Sequence, residues 1–165
     1  MFKRVHYMIV LMLFVCMNIF GDDTQKIATM VNHALRWLKE HQDEDGSWKC
    51  GKYEGHDYDH AATGLALLAF LGCGHSHKTS SEFQATVSKA IRWFLNEQAS
   101  LENNNFANNK GDNNGYQRGI ALLAMVDAYG LSLDDELKPH VQRAVDQACR
   151  DQGHDGGWGH NPTDT

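Results

Sequence analysis

The stretch Ala34-Leu35-Arg36-Trp37-Leu38, followed by Gln42 and then by Gly46-Ser47-Trp48, decides how the whole chain is read. It returns 110 residues later as Ala144-Val145-Asp146-Gln147-Ala148, Gln152 and Gly156-Gly157-Trp158, with every offset kept. Between the two stands Ala90-Ile91-Arg92-Trp93-Phe94 with Gln98. The unit is therefore about 55 residues long, and a fixed period of this size marks a repeat architecture.

Each copy opens on an amphipathic helix. Val31, Ala34, Leu35 and Leu38 fall on one helical face, as do Val87, Ala90, Ile91 and Phe94, and again Val141, Ala144, Val145 and Ala148. Lys39, Glu40, Lys89, Arg92, Arg143 and Asp146 take the other sides, so these helices border solvent on one side and a core on the other. The segments between them differ. Ala61-Ala62 with Leu65-Ala66-Leu67-Leu68-Ala69-Phe70-Leu71, and Ile120-Ala121-Leu122-Leu123-Ala124-Met125-Val126, are apolar all round and predict buried helices. Five helices follow, near 24–42, 58–72, 82–98, 115–130 and 134–152, with no strands of consequence. The fold class is all-α, with outer amphipathic helices wrapped around inner apolar ones; stacked pairs of this kind curve into solenoids or close into toroids.

The polar positions of the repeat read as mechanical parts. Gly46 and Gly156 stand just past a helix end, where a left-handed residue terminates it. Gln42 and Gln152 are placed to bond free carbonyls of the last turn. Trp48 and Trp158 can fold back over that turn and bury against the next helix. The middle copy keeps only Gln98, which leads into the Asn-rich stretch Glu102–Asn114, with Phe106 the one nearby aromatic; this reads as a loop with little packing.

Residues 1–21 stand apart from the repeats. Phe2-Lys3-Arg4, the apolar run Met8–Phe20, and Gly21 before Asp22-Asp23 have the anatomy of a secretory signal peptide cleaved near Gly21. The run is shorter than the roughly 20 residues of a spanning helix. The expectation is a mature domain over 22–165, exported (periplasmic or secreted) and not transmembrane, with an uncleaved anchor as the alternative. The leader carries Lys3 and Arg4 and no acid, so its loss moves the formal net charge from −6 to −8. Such an acidic chain is a poor binder of nucleic acid. Cys50, Cys73 and Cys149 remain, an odd number that does not make a disulfide framework.

The order small residue, aromatic, aliphatic, Gln, Gly-x-Trp resembles the QW repeat of squalene–hopene and oxidosqualene cyclases, and more loosely the prenyltransferase β-subunit fold. Ala34 to Trp48 fits it throughout; Ala144 to Trp158 departs at Gln147, and Ala90 to Gln98 fits its first half. The resemblance implies an α/α toroid whose inner helices line a central cavity. A full toroid of that family has about six helix pairs, against about two and a half repeats here. The resemblance therefore implies a partial toroid with an open C-terminal edge, where an apolar helix face needs a cover.

Asp57-Tyr58-Asp59-His60-Ala61-Ala62 resembles the acidic motif of the bacterial triterpene cyclases. That resemblance makes Asp59 the general acid, with Asp57 and His60 beside it, and such an acid must be kept protonated by its surroundings. The commoner use of an acid before an apolar run is to cap the helix. Cys73-Gly74-His75-Ser76-His77, with His56 and His60, is a weak zinc pattern, better explained as a polar loop after an inner helix. A complement-type thioester needs Gln three residues after Cys73, where Ser76 stands. Asp43-Glu44-Asp45-Gly46 and Asp112-Asn113-Asn114-Gly115 lack the Glu that closes a calcium loop and read as turns. No cofactor or metal is expected.

Three functions are compatible with these residues. One is an exported, non-catalytic domain that binds an apolar small molecule or a protein partner through its inner helix surface. Another is a cyclase-like isomerase with Asp59 as acid, active in a longer or assembled form. The third is a degenerate structural fragment. The first is preferred, because polyprene cyclisation belongs to the cytoplasmic side of membranes and the acidic motif is incomplete.

Overall fold

A computed structural model describes residues 23–53, 56–101, 106 and 114–159. The chain divides into two compact units, Met1–Leu38 and Lys39–Thr165. Described residues of the first form helix α1, which spans 23–40 and ends in the second unit. The second unit holds α2 (Asp59–Gly72), α3 (Gln84–Leu101), α4 (Asn114–Ser132) and α5 (Lys138–Arg150). The fold is all-α and repeating. The proposed signal segment lies outside the described residues, and none of the described helices is long and apolar enough to cross a membrane.

One detail departs from a purely helical chain. Strands β1 (Lys52–Tyr53) and β2 (His56–Asp57) form a two-residue antiparallel ladder, Lys52 opposite Asp57 and Tyr53 opposite His56. It lies in the connection that carries the chain from Trp48 to α2. Helix α5 starts at Lys138 rather than near 134, because the Leu137 and Lys138 amides first close a turn on the Asp134 carbonyl. Pro139 then fits the first helical turn, where its missing N–H costs nothing. At the end of α2, Gly74 adopts φ +81° and His75 N–H bonds back to the Phe70 carbonyl, a Schellman cap.

The apolar helices α2 and α4 pack chiefly on each other. Small residues make this possible: Ala66, Ala121, Ala124 and Ala128 are buried at 0–5% exposure. Gly64 sets the closest approach, since a Cβ there would stand 2.8 Å from Ile120 Cγ2. Helix α3 buries its stripe of Val87, Ala90, Ile91 and Phe94, and α5 buries Val141 and Ala144 with Val145 and Ala148 half-buried. In α1, against expectation, Leu35 is buried whereas Val31 and Ala34 are exposed.

Two expectations need correction. Apolar all round, α2 and α4 were expected to be wholly buried, yet Leu65 is 57% and Leu123 52% exposed. Helix α2 is covered by α4 and α3, and α4 by α2, α5 and α3, which leaves a flank of each uncovered. Phe106, expected in a loop with little packing, is 1% exposed and meets the Phe94 ring edge-on at 6.3 Å. An aromatic ring in a polar loop still gains more from burial than the loop loses by being pinned.

Candidate functional site

The acidic motif sits where the connection enters α2. Tyr58 is the N-cap residue and makes no side-chain capping bond. Asp59 is the first helical residue, and its Oδ1 accepts the Cys50 amide at 3.1 Å and faces the Cys50 thiol at 3.8 Å. Its carboxyl thus pins the connection back onto the helix start, where negative charge also suits the helix dipole. His60 turns to α3, with Nε2 3.1 Å from Glu97 Oε2 and its ring 4.9 Å from that of Trp93. Asp57 belongs to β2, and its side chain lies outside what the structure describes. Asp59 and His60 therefore hold separate partners.

The repeat residues come together in the turn beyond the helix rather than at its end, which lies at residue 40 in α1 and at Arg150 in α5. Gln42 and Gln152 therefore do not bond carbonyls of the last helical turn, against expectation. Gln42 Nε2 donates to the Gly46 carbonyl at 2.9 Å and to the Thr86 carbonyl of α3 at 3.0 Å. Gln98, in the copy that seemed to have lost its corner, donates to the His140 carbonyl of α5 at 3.1 Å. Thr86 and His140 each stand four residues before the small residue of their own copy, Ala90 and Ala144. Gln98 thus ties α3 to α5, and Gln42 ties its own turn to α3. Gln152 reaches the Gly156 carbonyl at 2.7 Å.

The turn below is also shared. Asp45 Oδ1 accepts the Ser47 amide and hydroxyl at 3.0 and 2.7 Å, and Asp155 Oδ1 accepts the Gly157 amide at 2.9 Å. Burial pushes the Asp45 carboxyl up, but the hydrogen bonds from Ser47 and the Lys49 ammonium outweigh it and hold it below its ordinary value. Trp48 is buried at 7% exposure, its ring 6.1 Å from that of Phe70. Trp158 was expected to match it and does not: it is 60% exposed. Its indole N–H still folds back to the Ala148 carbonyl at 2.8 Å, but no helix follows α5 among the described residues to cover the ring.

The imidazoles after α2 go separate ways. His75 meets Phe83 edge-on at 4.9 Å, and Cys73 is exposed. His77 Nε2 stands 2.7 Å from Asp134 Oδ2, with Lys78 Nζ 3.0 Å from the same oxygen. Hydrogen bonds from His77, then Lys78, hold the Asp134 carboxyl down to about 2. The described residues contain no group of three or more His, Cys, Asp or Glu that could hold a metal ion.

Sequence reasoning missed a cavity of about 340 Å³ between α4 and α5. Gly115, Gly119 and Leu122 of α4, Ala148 of α5 and Trp158 make its apolar walls. Arg118 and Asp151 also line it, bound to each other at 2.9 Å with side chains only 11% and 14% exposed. Only the Nη1 of Arg118 is used in that pair, and its Nε is buried without a hydrogen-bond partner. A sequence signal existed: an arginine and two glycines interrupt the start of an otherwise apolar helix.

Set against family models, curated proteins and solved structures, the chain finds no match.

Proposed function

We propose that the chain is an exported, non-catalytic binding domain of the terpenoid-cyclase and prenyltransferase-like α/α kind, which takes an apolar ligand or partner on its inner helix surface. The observation that carries this reading is the cavity of about 340 Å³ with Gly119, Leu122 and Trp158 in its walls. Its size is that of a small-ligand site, and ligand sites are mostly apolar with few polar groups. Exposed Leu65 and Leu123 extend the apolar character along the inner helices. A catalytic reading has less support, since Asp59 Oδ1 acts as an acceptor toward Cys50 and His60 is engaged with Glu97.

Titration of residues 22–165 with anilinonaphthalene sulfonate tests this. Saturable binding at one site is expected, and Gly119→Trp should abolish it, because a side chain at Gly119 meets nothing within 4 Å and would fill the cavity. Absence of saturable binding contradicts the reading. Incubation with squalene should give no cyclic product; an Asp59-dependent product would establish the isomerase instead.

A further inference from the structure

The two charged residues of the cavity are unequally bonded. Asp151 is satisfied at both oxygens: Oδ2 accepts Arg118 Nη1 at 2.9 Å, and Oδ1 accepts Gln147 Nε2 at 2.7 Å. Arg118 is not. That one bond is all its guanidinium makes with the described residues, and its Nε is buried without a partner. In a planar guanidinium the Nε–H and one Nη2–H run parallel along the edge away from Nη1. The edge left unused is therefore the one whose spacing matches the two oxygens of a carboxylate. A buried donor without an acceptor costs free energy, so the site favours a group that brings one.

The remaining walls offer nothing polar in competition. Gly119, Leu122 and Ala148 carry no polar side-chain atom, and the Trp158 indole N–H is used on the Ala148 carbonyl. Gly115 lies in the first turn of α4, where the helix dipole favours a negative group. We propose that the cavity takes an apolar carboxylic acid, with its carboxylate on the Nε and Nη2 edge of Arg118 and its hydrocarbon body against Leu122, Ala148 and the Trp158 ring. The inference deepens, and rests on, the reading of this cavity as an apolar ligand site.

Other ligand chemistries fit less well. An amine brings donors to a place where both oxygens of Asp151 are already taken. A phosphate ester matches the same fork but carries nearly two negative charges, and Asp151 already balances the single charge of Arg118. A carboxylate adds one charge and gains two charge-assisted bonds against that repulsion, each roughly twice as strong as a neutral one. An alcohol makes a single neutral bond and leaves half of the fork unused.

Octanoate and octanol, which share one hydrocarbon chain, are the probes, each titrated into the full chain by calorimetry. Octanoate should bind saturably at one site, about tenfold or more tighter than octanol, as charge-assisted bonds supply over a neutral one. This comparison needs no variant. Arg118→Lys keeps a cation for Asp151 but loses the fork of parallel donors, so it should erase the preference and leave octanol binding unchanged. Asp151→Asn removes the opposing charge and should raise the preference. Circular-dichroism melts establish that both variants fold. Equal affinities in the parent chain, a preference that survives Arg118→Lys, or octanoate binding weakened by Asp151→Asn overturns the proposal. If anilinonaphthalene sulfonate and octanol bind but octanoate binds no better, the apolar-ligand reading stands and this inference alone fails; if none of the three binds, both fail.

Discussion

Gly46 shows how one position can carry two separate demands. Its φ of +99° lies in the left-handed region, and the α3 backbone stands where a Cβ would go. Gly156 shares the first demand, with φ +86°, and not the second. Alanine in a left-handed conformation costs about 1–2 kcal/mol, and displacing packed backbone adds about 1–3 kcal/mol. Gly156→Ala should therefore lower stability by about 1 kcal/mol and Gly46→Ala by about 3 kcal/mol, read from denaturant midpoints at constant slope. Equal losses would mean that the two corners are equally packed. The sequence made both glycines legible as left-handed residues, but they stand in a turn six residues past the helix ends rather than at them. It could not separate them, because what lies 43 residues away at Lys89 is a tertiary fact.

At the scale of the element, apolar periodicity placed all five helices to within a few residues, and the errors fell at their ends. Helix α5 began late because Asp134 and Leu137 form a turn first, and turn bonds leave no trace in hydrophobic spacing. The tie between α3 and α5 was also illegible, since Gln98 lacks the Gly-x-Trp that marks the other corners. Gln98 is 5% exposed, donates to the His140 carbonyl and pairs its Oε1 with His140 Nδ1 at 2.7 Å. Its replacement by Ala strands these groups and should cost about 1–3 kcal/mol. Little change in melting temperature would show that the outer helices do not depend on this bond.

The same contact gives a pH dependence. Burial, then the charge of Arg143, hold the His140 imidazole below its ordinary 6.5. The unfolded chain thus takes up a proton that the folded chain resists, and stability from this residue is intact above pH 6.5 and falls as the pH drops below it. His140→Gln should flatten that fall in melting temperature; a slope identical to that of the parent protein would count against a neutral ring in the fold.

For the molecule as a whole, the repeat accounts for what is packed and for what is left open. The alternation of amphipathic and apolar helices was readable in composition. The all-round apolar character of α2 and α4 nevertheless overstated their burial, since Leu65 and Leu123 are exposed. The cavity was not readable, because its walls come from three separate segments, at Gly119, Ala148 and Trp158. Its openness follows from there being no inner helix beyond α4 among the described residues. The same difference shows at the two tryptophans, Trp48 at 7% exposure and Trp158 at 60%. Hydroxyl-radical footprinting with mass-spectrometric readout measures that contrast at each tryptophan in one experiment. Oxidation of Trp158 should run several-fold faster than that of Trp48 in the folded chain, with the two rates converging in denaturant. Equal protection of the two rings in the native chain would contradict the repeat register and the open edge together.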